Sequence, residues 1–372
     1  MTHRERMETA WAHREPDRVP IELGIPAAVR AHPRARRLCE LADRYATNFG
    51  WAPGPGWGFL GLPTEYHEEV IEEAPGAWRR MRRVHNTPAG EFTAVTVQPA
   101  DNPDYHWEQR FVRTLDDLAR LADTPRPPAP WDAAAFREAA DRSEGVPLTT
   151  LLHPLGSLVR CSEMEEVYGW FAREPQLVHR YLQAANAHVV RTVERMARDG
   201  ARPNFMMWAH EMLIPPWLGH RQFDEFVVPY DRAVNDAVHA CGGRLRIHCH
   251  GNCMSFLEKM ADMGVDSIEP LEPPPYADCD LAEAKRRVGD RMLLSGNIVS
   301  QAFYRKRPAQ VREEVRQAIR AAAPGGGFSL LTSGGMCVGA IAMTDEQAEA
   351  EIANFEAYML AGLEFGQYPI KL

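Results

Sequence analysis

Residues 243–254, GRLRIHCHGNCM, contain the highest density of potential metal ligands in the sequence. Leu245 and Ile247 belong to an apolar run that predicts a short buried strand, and this run ends in HCHGNC. Residues two apart on an extended strand point to the same face, so we expect His248 and His250 to aim together and Cys249 to turn away. Paired imidazoles at the end of a buried strand are costly unless they are hydrogen-bonded or metal-bound. The spacing therefore predicts two metal ligands that need a third from elsewhere.

The elements that position this pair are predicted by alternating strand-like and helical segments after residue 131. Repeated strand–helix units indicate a parallel sheet with right-handed crossovers. The predicted strands are 146–152, 203–208, 244–249, 265–268, 292–295 and 327–331, and the predicted helices are 176–198, 223–240, 255–263, 281–288, 309–323 and 345–363. With a first strand at 18–24 and one more from the irregular first third, these strands predict a (β/α)8 TIM barrel. A doubly wound sheet is the alternative, but no glycine-rich phosphate fingerprint follows the first strand.

The region from about residue 25 to 130 has poor periodicity and is expected to be an elaboration of the barrel. Two strand-like runs, 78–84 and 91–97, flank the turn residues NTPAG and predict a hairpin. The proline-rich stretch 124–131, TPRPPAPW, is a stiff connector and the best candidate boundary in the chain. We expect residues 1–372 to form a single barrel domain that includes this irregular part.

Polar residues follow the successive predicted strands, at the end where a barrel of this type gathers its chemistry. Each of six successive predicted strands is followed by at least one such residue. This regularity favours a shared site at that end of the barrel over a chance distribution of polar residues. The candidate residues are His153, His210, Glu211, His248, His250, Glu269, Glu272, Asn297 and Cys337.

Structural roles are the alternative for several of these residues. His153 precedes a proline and could be a turn or packing histidine, and His210–Glu211 could begin a helix. Glu269 and Glu272, in EPLEPPP, could simply fix a proline-rich loop. A cysteine is by default a small buried hydrophobe. That interpretation applies to Cys39, Cys161, Cys241, Cys249 and Cys279, while Cys253 is undecided.

Two imidazole nitrogens and one thiolate form a ligand set that suits Zn²⁺. His248 and His250 would supply the nitrogens, and Cys337, in a glycine-rich loop after the last strand, would supply the sulfur. The fourth position would be open or filled by a carboxylate, and an open position is typical of a catalytic zinc. Such a zinc lowers the pKa of a bound thiol or water and produces a nucleophile near neutral pH.

Composition excludes several other classes of function. The chain has 372 residues and a formal net charge of −9, so it offers no basic field for nucleic acid. It contains no apolar stretch of the ~18 residues that a membrane span needs. The N-terminus, MTHRERMETAWAHREP, has no apolar signal region. Seven cysteines without a framework spacing indicate reduced thiols, and we expect a cytoplasmic protein.

Several blocks of the sequence resemble the uroporphyrinogen decarboxylase superfamily. They are REPDRVP, LGHRQFDEFVVPYDRAV, IHCHGN, DSIEPLEPPP followed by DCDLAEAKRRVGDRMLLSGNI, and the closing glycine-rich loop. The resemblance covers nearly the whole chain and is strongest from about residue 203 to 337. Because that superfamily folds as a (β/α)8 barrel, the resemblance implies the same architecture, and it also implies a homodimer.

Two branches of the superfamily are distinguished by their residues. The decarboxylases carry an arginine-rich RQAGR signature after the first strand, where this chain has ELGIPAAVR with only Arg30 nearby. The methyltransferase branch binds zinc through a His-x-Cys pair before Gly-Asn and a distant cysteine. In this chain His248 matches the family histidine, His250 stands in place of the first cysteine, and Cys337 matches the distant one. Replacing a thiolate with an imidazole leaves the site one negative charge poorer, which Glu269 or Glu272 could restore as a fourth ligand.

The resemblance to this second branch implies a zinc-dependent methyltransferase. It would move a methyl group between a corrinoid (cobalamin) on a partner protein and a small thiol or tetrahydrofolate-type acceptor. His210, Glu211 and Asn297 are expected to position substrate, and His153 to contact the cofactor. The alternative is a cofactor-free decarboxylase of a small carboxylic acid, in which histidines protonate a carbanion. A non-catalytic descendant of the fold is a third hypothesis.

Overall fold

The computed structural model describes residues 1–102 and 104–371. Within these residues the strands are β1 Gly50–Trp51, β2 Glu65–Ala74, β3 Trp78–Thr87, β4 Gly90–Pro99, β5 His106–Gln109, β6 Pro147–Leu151, β7 Asn204–Met207, β8 Leu245–Cys249, β9 Ser267–Pro270, β10 Leu293–Ile298 and β11 Phe328–Thr332. The α-helices are α1 His3–Trp11, α2 Ala27–Arg30, α3 Arg36–Tyr45, α4 Leu115–Asp123, α5 Ala133–Arg142, α6 Pro154–Cys161, α7 Met164–Arg173, α8 Pro175–Arg198, α9 His220–Phe226, α10 Val228–Ala240, α11 Leu257–Asp262, α12 Leu281–Val288, α13 Pro308–Ala322 and α14 Asp345–Phe365.

The alternation of strand and helix that the sequence predicts after residue 131 is present. All six predicted strands from β6 to β11 are present, with ends within three residues of their expected positions. The seven-stranded sheet has the order β1-β6-β7-β8-β9-β10-β11, which is the order of the chain. The pairings β1–β6, β8–β9, β9–β10 and β10–β11 are parallel. The protein is therefore an α/β protein with a parallel sheet, as predicted.

The chain divides into two units according to the distribution of its internal contacts. The first unit comprises Met1–Ala52, Glu138–Leu148 and Leu245–Leu372, and the second comprises Pro53–Arg137 and Thr149–Arg244.

In the first unit, the strands β8 to β11 form a parallel ladder with α12, α13 and α14 between or after them. Ile247 pairs with Ile268 and Leu294 with Phe328, and all four side chains are buried. Burial of a large apolar side chain contributes roughly 1.5–3 kcal/mol, so these ladders and the helices that cover them account for much of the stability of this unit.

The first strand predicted at residues 18–24 is present only as isolated bridges. Ile21 bridges Leu330 in parallel fashion, and the amide of Glu22 donates to the carbonyl of Leu330 at 2.9 Å. Pro20 has no N–H, so it can accept from Leu330 but cannot donate to a neighbour. The extended segment therefore lies beside β11 without forming a continuous ladder.

In the second unit, β2, β3, β4 and β5 form an antiparallel sheet in that order. The predicted hairpin is β3 and β4, whose last pair is Thr87 with Gly90. Gly90 has φ 101°, a conformation that glycine adopts without a steric penalty. This sheet accounts for the poor helical periodicity of the first third of the sequence, which contains long strands with charged residues on exposed faces.

Among the described residues, no helix has the length and the apolar character needed to cross a bilayer.

The Asn354 side chain provides a test of the packing of α14. Its Nδ2 donates to the carbonyls of Phe303 at 2.7 Å and Lys306 at 2.8 Å, and the residue is fully buried. Asn354→Leu removes both donors and should lower the free energy of unfolding by about 2 kcal/mol in urea titrations. Glu349→Ala, at an exposed position of the same helix, should change it by less than about 0.5 kcal/mol. Equal midpoints for Asn354→Leu and the unmodified protein would contradict this packing role.

Candidate functional site

His248 and His250 lie together at the C-terminal end of β8 in the first unit. Their ring centroids are 4.5 Å apart and the ring planes meet at 81°. Leu245, Ile247 and Cys249 face the opposite side and are at most 1% exposed, as strand alternation requires. The side chains of His248 and His250 are 20% and 37% exposed. The strand thus presents two imidazoles at a partly open edge.

Each of these imidazoles is held by its own carboxylate. Nδ1 of His248 lies 2.9 Å from Oε1 of Glu269, and Nδ1 of His250 lies 2.9 Å from Oε2 of Glu272. A carboxylate acceptor places the proton on Nδ1, which puts the lone pair of the neutral ring on Nε2. Metal-binding histidines in proteins usually donate the N–H of the second ring nitrogen to a carboxylate, a backbone carbonyl or a water.

Glu269 is fixed in turn by the buried guanidinium of Arg246. Nε of Arg246 lies 3.0 Å from Oε2 of Glu269, and its Nη2 bonds the same oxygen. On its other side Nη2 lies 2.9 Å from Oε2 of Glu22, whose Oε1 accepts from the Ser329 hydroxyl at 2.6 Å. The guanidinium also lies over the Phe49 ring, 4.5 Å from its centroid. Arg246, 2% exposed, therefore joins the first segment of the unit to β8 and β9.

The charges of this network are set by burial and by Arg246. Burial alone would raise the pKa of Glu269, but Arg246 and the His248 hydrogen bond outweigh it and lower the pKa to about 2. Glu22 is more deeply buried, and burial raises its pKa despite the charge of Arg246. For Glu272, the His250 hydrogen bond overcomes burial and lowers the pKa. Glu269 and Glu272 are thus anions that hold the two imidazoles.

Cys337 lies on the loop that follows β11. Its backbone amide donates to Oε1 of Glu351 at 2.8 Å, and the amide of Val338 donates to Oε2 of the same carboxylate at 2.8 Å. Glu351 belongs to α14 and is fully buried. Burial and the nearby Glu351 raise the pKa of the Cys337 thiol to about 11. The helix thus anchors the loop. Among the described residues, the donor atoms of Cys337, His248 and His250 do not form a group that lies within 4.8 Å of one another.

Asn297 lies at the end of β10 and lines a cavity of about 480 Å³. The other walls of this cavity include Pro273, Pro275 and the ion pair of Lys306 with Glu314, whose nearest atoms are 2.7 Å apart. His248 and His250 are not among its lining residues. Asn297 therefore forms part of the wall of a cavity that the imidazole pair does not line.

His153 and His210 belong to the second unit, where they share the carboxylate of Asp231. Nε2 of His210 lies 3.1 Å from Oδ2 of Asp231, and Nε2 of His153 lies 3.3 Å from Oδ1. The two rings stack with centroids 4.3 Å apart and an interplanar angle of 16°. All three side chains are at most 4% exposed. In the part of the chain described, their donor atoms lie within 4.8 Å of one another, close enough to hold a metal ion.

Local structure brings this cluster together. His153 caps the start of α6, directly after β6, and Nδ1 of its ring lies 3.2 Å from the carbonyl of Trp208. His210 begins a short 3-10 turn after β7, and Ala209 before it has a left-handed φ of 78°. Asp231 lies in the first turn of α10, where its carboxylate faces the core.

A single carboxylate between two imidazoles favours one protonated ring. Burial lowers the pKa of His153, but Asp231 outweighs it and the net shift is upward. Burial and the neighbouring His153 lower the pKa of His210. Burial would raise the pKa of Asp231, but the two histidines lower it strongly. The arrangement therefore favours His153 as a cation, His210 as a neutral ring and Asp231 as an anion.

Glu211 follows His210 but does not join the hydrogen bonds of the cluster. Its Oε2 is buried and has no hydrogen-bond partner among the described residues. Its charge raises the pKa of both His153 and His210. Glu211 therefore acts on the imidazoles through its charge.

The sequence analysis missed Asp231, Arg246 and Glu22. Asp231 could have been found from the sequence. Val227, Val234 and Val238 are spaced three to four residues from it or from one another, so all four residues lie on the same buried face of α10. Arg246 shares the inner face of β8 with the two histidines, and a charge there requires a partner of opposite sign.

Comparison with known families assigns the chain to one of them. A sequence profile of the family described as Uroporphyrinogen decarboxylase (URO-D) matches residues 95–340, which is more than half of the chain. The chain therefore belongs to this family, and the superfamily that the sequence motifs predict is confirmed.

Individual relatives are distant. The uroporphyrinogen decarboxylase of Actinobacillus succinogenes is 26% identical over 153 residues, which is 39% of each chain. That of Shewanella loihica is 28% identical over 161 residues, or 41% of this chain and 42% of the other. This chain thus spans about two fifths of the length of the relatives it matches.

A solved structure shares the fold over almost the whole chain. A methyltransferase from Methanosarcina mazei superposes with a TM-score of 0.59, at 14% sequence identity, over 98% of this chain and 99% of that one. At this level of identity the similarity establishes the fold.

The shared carboxylate makes Asp231→Asn a test of the second cluster. The substitution leaves a buried imidazolium without a counter-charge, which should lower the free energy of unfolding by about 3 kcal/mol. The contribution of Asp231 is lost as the pH falls below the unfolded-state value of about 3.9, and that of His153 is lost as the pH rises above about 6.5. Denaturant titrations should show the largest difference from the unmodified protein between about pH 4 and 6.5.

Asp236→Asn is the matched control, because Asp236 is an exposed residue of the same helix. It should change the free energy of unfolding by less than about 0.5 kcal/mol. A difference for Asp231→Asn that stays constant from pH 4 to 9 would contradict the shared proton.

Proposed function

We propose that the chain is a metal-dependent methyltransferase of the URO-D family. It would move a methyl group between a corrinoid carried by a partner protein and a thiol or tetrahydrofolate-type acceptor. The observation that carries the proposal is the pair of imidazoles at the end of β8, each with a carboxylate on Nδ1. A paired set of this kind is more costly to build than a packing role requires, because it withdraws two carboxylates and two partly exposed imidazoles from water in one place.

The donor types of these residues suit a zinc ion. His248 and His250 offer Nε2 as the ligand atom, and Cys337 is the sulfur ligand that we propose as the third. Glu269 and Glu272 hold the Nδ1 atoms of the two rings, on the side away from the Nε2 ligand atoms, so in this proposal both carboxylates orient the ligands and the fourth position is open to substrate. Zinc bound there would supply Lewis-acid activation of the acceptor, and the corrinoid would supply the methyl group.

The chain's own residues orient the ligands and set their charge. Arg246 fixes Glu269, Glu269 fixes the ring of His248, and Glu351 anchors the loop that bears Cys337. With an imidazole at position 250 the ligand set carries one negative charge fewer than a set with two thiolates. A zinc ion with this less negative ligand set would be a stronger Lewis acid, and a thiolate bound to it would be a weaker nucleophile than at a thiolate-rich site. The substrate-positioning roles of His210, Glu211 and Asn297, and the cofactor contact of His153, stay predictions.

We also propose a complete (β/α)8 barrel for the fold. In this proposal the segment 19–23 is the eighth strand of the barrel, because it lies between β11 and the residues that precede β1. The amide of Thr47 donates to the carbonyl of Ile21 at 2.7 Å, and the Asn48 side chain bonds both backbone groups of Leu23 at 2.8 Å.

Metal content is the direct test of the methyltransferase proposal. The purified protein should hold one zinc, measured by plasma mass spectrometry, and should consume methylcobalamin in the presence of a thiol. His250→Ala should lose both zinc and activity, whereas His250→Cys should keep the zinc because a thiolate is an equivalent ligand. Glu272→Gln should weaken zinc binding by about 10–100-fold.

Two variants make this experiment decisive. His67→Ala removes an exposed histidine of β2 and should leave zinc content unchanged. His210→Gln disrupts the other cluster and should also keep the zinc. Zinc that survives in His250→Ala but is lost in His210→Gln would place the metal at the Asp231 cluster and refute the proposed site.

A second candidate function, cofactor-free decarboxylation of a small carboxylic acid, is favoured by one observation. His153, whose pKa is raised by Asp231, lines a cavity of about 200 Å³ together with Arg160. An imidazolium can protonate a developing carbanion, and a guanidinium can hold a carboxylate.

Chelation separates the two candidates. For a decarboxylase, CO₂ release from a small acid should persist after dialysis against EDTA and fall by about 10²-fold or more in His153→Gln, because a general acid typically contributes that much. For the methyltransferase, EDTA should abolish turnover and added zinc should restore it. CO₂ release that disappears with EDTA would exclude the cofactor-free mechanism.

A further inference from the structure

The second unit contains an open cavity of about 510 Å³ that the sequence analysis did not anticipate. It lies between the antiparallel sheet and α6, and its walls come from residues 58–60, β3, residues 105–111 and α6. This volume is within the range of about 300–1,000 Å³ that is typical of small-molecule sites.

Three arginines from separate segments line this cavity: Arg83 of β3, Arg110, and Arg160 of α6. The Arg83 guanidinium lies 4.4 Å from the Tyr105 ring centroid, and that of Arg110 lies 5.1 Å from the Trp107 ring centroid. Nε of Arg83 donates to the Thr96 hydroxyl at 3.1 Å, and Arg110 donates to the carbonyl of Arg160. These contacts hold two of the guanidinium groups in place.

The positive charge of these arginines is only partly neutralised. Among the described residues, the carboxylate within ion-pair distance is Glu68, whose Oε2 lies 3.9 Å from Nη1 of Arg83. Glu163 also lies near, but it accepts from the backbone amide of Arg110. Tyr66 donates to Glu68 at 2.7 Å and so engages part of that carboxylate. The cavity therefore keeps an excess of positive charge in a chain whose net charge is −9.

Aromatic rings form the apolar wall of the cavity. Phe59 stacks on His85 with centroids 4.4 Å apart, and His85 meets Phe111 edge-on at 4.9 Å. Tyr105 and Trp107 meet edge-on at 5.3 Å. Burial lowers the pKa of His85, so the ring at the centre of this wall is neutral near pH 7. Such a wall offers flat faces to a planar ring, and ring pairs of this kind contribute about 0.5–1.5 kcal/mol each.

The surroundings favour a small anion over a polyanion. The neighbouring strand β2, EYHEEVIEEA, has exposed carboxylates at Glu65, Glu68, Glu69, Glu72 and Glu73. These would repel the phosphates of a nucleic acid, whereas a single carboxylate can enter between the arginines.

We propose that this cavity is a binding site for a small aromatic carboxylate. The ring would lie against Phe59, His85 and Trp107, and the carboxylate would be received by the guanidinium forks of Arg83, Arg110 and Arg160. This site goes beyond the proposed methyl transfer and does not depend on it, since it concerns equilibrium binding by residues of the second unit alone.

A second cavity relates this site to the buried histidine cluster. The cavity of about 200 Å³ that His153 lines shares Leu152, Ser157 and Arg160 with the larger one. Arg160 therefore faces both spaces. A ligand held by its carboxylate at Arg160 lies next to the space that leads to the His153 ring.

Calorimetric titration of the full chain with 2-naphthoate tests the proposal. We expect saturable binding with one site per chain, and binding of the uncharged analogue 2-naphthamide at least about tenfold weaker, because a charge-assisted hydrogen bond is lost. Arg83→Gln and Arg160→Gln should each weaken 2-naphthoate binding by about tenfold, and Trp107→Leu should weaken both ligands. Arg160 is exposed, so its replacement tests the site without endangering the fold.

Arg82→Gln is the matched control, because Arg82 is the neighbour of Arg83 on β3 and does not line the cavity. It should bind 2-naphthoate as the unmodified chain does. Equal affinity for 2-naphthoate and 2-naphthamide, or unchanged binding in both Arg83→Gln and Arg160→Gln, would overturn the proposal. A tenfold preference for 1-naphthyl phosphate would overturn the assignment to carboxylates. None of these outcomes alters the zinc content, so failure here is distinguishable from failure of the proposed function.

Discussion

The first unit depends on the neutralisation of one buried guanidinium. Arg246 lies between Glu22 and Glu269 and stacks on Phe49, so its charge is balanced by carboxylates from the segment 18–24 and from β9 and is covered by a ring. An unpaired charge at this depth would cost several kcal/mol. The position of the segment 18–24 relative to β8 and β9 therefore affects the stability of the unit. Because Glu269 also holds Nδ1 of His248, the orientation of a candidate metal ligand follows from the same interaction.

The two units use carboxylates on histidines in different ways. In the first unit each imidazole has its own carboxylate on Nδ1, which fixes the orientation of both rings. In the second unit Asp231 serves His153 and His210 together, so the rings stack and differ in their affinity for a proton. A carboxylate on the second ring nitrogen is common at metal-binding histidines, whereas two imidazoles that share one carboxylate favour unequal protonation of the two rings. The raised pKa of His153 and the lowered pKa of His210 agree with this distinction.

Local patterns in the sequence predict the strands, the helices and the common face of His248 and His250, because these depend on near neighbours. The polar partners could not be predicted in the same way. Glu22 and Arg246 are 224 residues apart, and no local periodicity links them. The burial of Asp231 follows from the apolar face of α10, but its contact with the two histidines depends on how that helix packs. The first strand is interrupted because Pro20 has no amide proton, an effect that the apolar pattern of residues 18–24 conceals.

Anomalous diffraction at the zinc edge, from crystals grown with zinc, tests the central claim most directly. The account predicts one strong peak that lies about 2.0–2.1 Å from Nε2 of both His248 and His250 and about 2.3 Å from Sγ of Cys337. A peak at the Asp231 cluster, or no peak near β8, would contradict it.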